Sequence, residues 1–89
     1  MKLDLTDVRR RIDAIDDAIA ELLRTRLSLV EEARALKATV GRPLYDEARE
    51  AELLERHAAW ARTQGLDPES VRAVFAAVLT LGRGPRPTP

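Results

Sequence analysis

The chain has 89 residues, fifteen basic and fifteen acidic, with 45% hydrophobic and 34% charged side chains and no cysteine. Those totals suit one small soluble domain whose own core is marginal, and they exert no whole-chain pull toward nucleic acid or a membrane surface. They exclude disulfide and thiol chemistry; no apolar run approaches membrane-spanning length, and Met1-Lys2-Leu3-Asp4 lacks the apolar core of a signal peptide, so a cytoplasmic location is expected.

The first element is long. Val8, Ile12, Ile15, Ile19, Leu22, Arg26, Leu29, Ala33, Leu36 and Val40 recur at alternating spacings of four and three. This is the 3.5-residue repeat of a helix packed along another helix. Asp4 or Thr6 caps its start, with Asp7 favourable in the first turn. It runs to about Val40, where Gly41 can adopt the left-handed conformation and Pro43 forbids continuation. Such a helix spans roughly 50 Å at 1.5 Å per residue. A compact domain of this size has a radius of gyration of about 12 Å. Its seam must therefore be covered by a second chain, and an oligomer is expected.

Gly41-Arg42-Pro43-Leu44 forms the connection, and Asp46 is the cap or first turn of a medium helix, supported by Glu47 and Glu50. Ala51, Leu54, Ala58 and Ala61 give its core stripe, widened by Leu53 and Trp60, and Gly65 ends it. Asp67-Pro68 opens a short helix, an acidic cap followed by proline where the missing N–H costs nothing. Val71, Val74, Phe75, Val78 and Leu81 share one of its faces; Gly82, Gly84 and three prolines stop it. The expected organisation is an all-α domain over 1–82, with one long, one medium and one short helix, and a Pro/Gly-rich tail over 83–89.

Most conventional catalytic sets are missing. His57 is the lone histidine, read as a partly buried helix residue, and Trp60 as core or interface. No zinc site, nucleophilic triad or phosphate loop has the right spacing, so no metal and no cofactor is expected. What remains is a set of cations. Arg26 is the one charge in the apolar seam, and an unpaired charge there costs roughly 3–5 kcal/mol, so it either escapes to solvent or faces an anion. Lys37 follows eleven residues later on the same face, about 16 Å along the axis. The two either converge on one anion or leave the lysine reaching for water. Arg9, in the run Arg9-Arg10-Arg11, lies about 25 Å from Arg26. It meets the same small ligand only across an antiparallel dimer. Arg49 and Glu50 are either a surface pair or, for Glu50, a partner for a ligand hydroxyl or ammonium.

Val8-Arg9-x-x-Ile12-Asp13-x-Ile15-Asp16, then Leu22-Leu23-x-x-Arg26 and Lys37, resembles the first helix of the all-α chorismate mutases. Gly41-x-Pro43-x-Tyr45-Asp46-x-x-Arg49-Glu50 resembles their loop and second-helix start, and Gly65-Leu66-Asp67-Pro68-Glu69-x-Val71-x-x-x-Phe75 their third helix. The resemblance covers about residues 5 to 82. It implies an intertwined, domain-swapped homodimer that rearranges chorismate to prephenate. In that pattern Arg26 and the partner's Arg9 bind the substrate's two carboxylates, Lys37 faces the ether oxygen, Glu50 addresses the ring hydroxyl, and Asp46 with Arg49 helps close the site.

The chemistry suits these residue types, because the rearrangement moves no proton and needs only a held dianion and fixed donors. Near the end of the third helix the family places a serine and, one turn later, a glutamine or glutamate; here those positions are Gly82 and Arg86, which makes Arg86 a further candidate. Leu81-Gly82-Arg83-Gly84 resembles the ending of a short subgroup activated in complex with DAHP synthase, and such a partner is expected. Isochorismate pyruvate lyase and aminodeoxychorismate mutase are alternatives on the same scaffold. A non-enzymatic helical dimerisation module is a third.

Overall fold

A computed structural model of the chain describes residues 4–41 and 46–83. Among these residues there are three helices and no strand: α1 (Leu5–Thr39), α2 (Glu47–Thr63) and α3 (Pro68–Arg83). Each start is fixed by an aspartate whose carboxylate accepts an otherwise orphaned backbone N–H. Asp4 takes that of Asp7 at 2.9 Å, Asp46 that of Arg49 at 3.0 Å, and Asp67 that of Ser70 at 3.0 Å. The Ser70 hydroxyl also donates to Asp67, and these bonds hold its carboxyl below the usual value of 3.8. Gly41 and Gly65 both adopt φ +70°, the left-handed stop expected of them. After α2, Leu66 N–H reaches the Ala61 carbonyl (2.9 Å) and Gly65 N–H that of Arg62 (3.4 Å), the paired bonds of a Schellman motif.

α2 and α3 pack on one another through small residues. Ala58 and Ala61 are fully buried and Leu79 nearly so, and the His57 ring stacks on Phe75 with centroids 3.7 Å apart and planes 1° from parallel. The second half of α1 touches α3 near Gly82, where Val30 lies against the glycine. The stripe Val71, Val74, Phe75, Val78 and Leu81 is only partly covered: Val74 and Leu81 stand half-exposed, while Leu79 beside them is the buried residue. α3 has to meet α1 and α2 at once, so its covered surface is broader than one stripe. Gly82 does not end this helix, which runs through it to Arg83. Trp60 is half-exposed and contributes no enclosed core within the chain.

The N-terminal half of α1 has no cover at all. Along the whole α1 seam the large aliphatic side chains range from 39% exposed at Val8 to 68% at Leu22 and Leu36. The radius of gyration is 17.0 Å and the long dimension 58 Å, against about 12 Å for a compact chain of this length. No helix among the described residues is long and apolar enough to cross a membrane.

Candidate active site

The three helices line a half-open pocket of about 700 Å³ between the second half of α1, the start of α2 and the end of α3. α1 presents Arg26, Leu29, Val30, Ala33, Arg34 and Lys37, a set spaced by three and four so that one helical face lines the wall. The Asp46 cap sets the start of α2, which brings Arg49, Glu50 and Leu53 to the opposite side. Leu79, Gly82 and Arg83 complete it from α3. Five cations and two carboxylates thus surround an aliphatic floor. A site of this composition binds anions, and the apolar floor suits a carbon ring carrying them.

Of the residues singled out from the sequence, Arg26, Lys37, Asp46, Arg49 and Glu50 line this one pocket. Arg9 does not: it lies far along α1, exposed and away from the pocket of its own chain. Arg86 falls outside the described residues. Among the described residues Glu50 makes no ion pair with Arg49 beside it. Its carboxylate is gripped by Arg83, which donates from Nη2 to Oε1 and from Nε to Oε2 at 3.3 Å. The side chains are 18% and 28% exposed, so the pair is largely withdrawn from water.

Two charged pocket residues, Arg83 and Arg34, escape the sequence reading, as do the apolar Val30 and Leu79. Arg83 was assigned to the tail, and nothing local links it to a glutamate 33 positions earlier. Arg34 donates from Nη2 to the Gly82 carbonyl at 3.0 Å and so ties α1 to the end of α3. A signal for it existed: it lies three residues before Lys37 on the face that Arg26 and Lys37 define. Arg26 also comes up against this end of α3, where a Cβ on Gly82 would stand at contact distance, 3.4 Å, from its Nη1.

His57 lies behind the site rather than in it. Burial, then the charges of Arg56 and Arg26, hold its imidazole below the usual 6.5, so the ring is neutral at pH 7. Among the described residues no three of His, Cys, Asp and Glu cluster as metal ligands would.

The model for the family "Chorismate mutase type II" matches residues 8–83. The chain is 35% identical over 79 residues to the T-protein of Enterobacter agglomerans, covering 89% of this chain and 21% of that protein. It is 36% identical over 75 residues to the isochorismate pyruvate lyase of Pseudomonas aeruginosa, covering 84% of this chain and 73% of that one. The chain therefore spans about a fifth of the T-protein and about three quarters of the lyase. The matched region runs from the first seam residue of α1 to the last residue of α3 and contains every described wall of the pocket: the chain belongs to the chorismate mutase type II family.

Proposed function

We propose that the chain rearranges chorismate to prephenate, working as a homodimer in which each pocket is completed by the partner's Arg9. The observation that carries this reading is the pocket itself. Arg26, Lys37 and the Arg83-held Glu50 face one cavity with an excess of positive charge and an apolar floor. Arg26 and the partner's Arg9 take one carboxylate each through fork geometry that lysine lacks. Lys37 faces the ether oxygen, and Glu50 accepts from the ring hydroxyl. Asp46 and Arg49, at the head of α2, close that side.

The reaction is an intramolecular [3,3] shift: the ether C–O bond breaks as a new C–C bond forms, and no proton or atom is exchanged. Holding the dianion in its compact conformer and placing fixed donors at the oxygen is the whole task. That the one histidine lies outside the pocket is compatible with such chemistry. The uncovered α1 seam supports the dimer, since a second long helix is what a seam of this period accommodates. An activating complex with DAHP synthase belongs to the same reading; unchanged kinetics on adding the cognate synthase would remove it.

The likeness to isochorismate pyruvate lyase favours a second reading, elimination of pyruvate from isochorismate in the same pocket. Incubating the purified chain with each substrate and identifying the product decides between them. Prephenate from chorismate, even slowly formed, supports the first reading. Intact chorismate together with pyruvate released from isochorismate replaces it with the second.

A further inference from the structure

We infer that Arg34 is a second cationic donor beside Lys37, directed at the oxygen that gains negative charge during the rearrangement; the inference rests on the chorismate mutase reading above. Arg34 follows Val30 by four residues and precedes Lys37 by three, and all three line the pocket. By helical rise it stands about 4.5 Å from Lys37 and about 12 Å from Arg26, so it serves the Lys37 end of the cavity. It is rotated about 60° from Lys37 around the axis. On that side it meets α3, where its Nη2 donates to the Gly82 carbonyl.

That single bond orients the guanidinium without consuming it. The Gly82 carbonyl belongs to the last turn of α3, where unsatisfied carbonyls and the negative end of the helix favour a cation. A guanidinium has five N–H donors in a fixed plane, and among the described residues no carboxylate pairs with this one. The rest of the fork is left to the pocket that Arg34 lines.

Charge counting points the same way. Five cations and two carboxylates line the cavity, and both carboxylates are engaged, Asp46 by the Arg49 N–H and Glu50 by Arg83. These residues carry three surplus positive charges, the partner's Arg9 of the proposed dimer adds a fourth, and a bound dianion balances two of them. At least one cation therefore exceeds what the ground state requires. In a shift that neither gains nor loses an atom, the charge appearing on the breaking C–O oxygen is what such a surplus meets. Interactions made only in the transition state raise kcat rather than lower KM. A donor already fixed by Gly82 needs no reorganisation to act there.

The test uses the full chain with chorismate and three variants. Arg34→Gln and Arg34→Met both remove the charge but pack differently; Arg34→Lys restores it. Both neutral variants should lose about a hundredfold in kcat, the scale of one lost transition-state donor. KM should stay within about threefold, and the loss should be alike whatever the two melting temperatures. Arg34→Lys should regain at least about tenfold of that loss. The inference is overturned if a folded neutral variant keeps kcat close to wild type, if the loss appears in KM, if it follows melting temperature, or if lysine regains nothing. If one neutral variant does not fold, the other decides. An active wild type with an unaffected neutral variant overturns the inference alone; a wild type inert toward chorismate overturns the functional reading with it.

Discussion

Replacing Arg83 by methionine keeps most of the side-chain stem and deletes the guanidinium that grips Glu50. The cost follows from where the pair lies. Exposed ion pairs contribute about 0–1 kcal/mol, and breaking a fully buried one costs about 3–5 kcal/mol. At 28% and 18% exposed, with two parallel N–H···O contacts, this pair falls between those limits. A coupling of about 2 kcal/mol is the expected value. Arg83 makes contacts beyond Glu50, so the single variant overstates the pair and a double-mutant cycle with Glu50→Gln is required. Urea unfolding of wild type, both singles and the double, at one fixed protein concentration, gives the coupling directly. A coupling below about 0.5 kcal/mol would refute the argument, because the geometry would then be that of an ordinary surface pair.

Arg26→Leu fills a charged seam position with an apolar side chain, so stability should hold or rise by about 1 kcal/mol. Under the proposed function kcat/KM should meanwhile fall at least about a hundredfold; intact turnover would remove Arg26 from the site. Mixing Arg9→Ala chains with Arg26→Ala chains restores both arginines to one of the two sites in each mixed dimer. Random exchange should then return about a quarter of wild-type activity from two inactive parents, and no recovery would exclude the shared site. His57 supplies a pH test. Its imidazole is held below 6.5 in the folded chain, chiefly by burial, so the unfolded chain binds its proton more readily. Stability is full above about pH 6.5 and declines as pH falls below it. His57→Phe should flatten that decline and leave turnover at neutral pH unchanged; an equal slope in both proteins would contradict the assignment.

Local features of the chain were legible because local physics decides them. Asp4, Asp46 and Asp67 cap helices through bonds spanning three residues, and Gly41 and Gly65 stop them by a backbone conformation other residues resist. Arg26 stands out by its place in the apolar seam; spacing makes Lys37, Asp46, Arg49 and Glu50 candidates, and the resemblance to the all-α chorismate mutases is what joins them into one site. The contacts that lock the pocket escaped. Arg83 to Glu50 and Arg34 to Gly82 join positions 33 and 48 residues apart. They depend on the angle at which the end of α3 meets two other helices, which no spacing encodes. Leu79 was missed for the same reason: burial from two directions leaves no single stripe to read.

The final turn of α3 touches α1 and α2 together: Gly82 lies over Arg26 and accepts from Arg34, and Arg83 holds Glu50. Helix ends fray, and a glycine in the last turn adds about 1 kcal/mol of backbone freedom for ordering to overcome. A site hung on such an end inherits its opening equilibrium. Were the turn to unwind, Arg26, Arg34 and Glu50 would lose their shared contact with α3 in one event, and the rate of the proposed reaction would scale with the fraction of time the turn is wound. Anything that clasps this turn would speed the proposed reaction without approaching the substrate, and slow amide exchange at Gly82 and Arg83 would mark the faster enzyme.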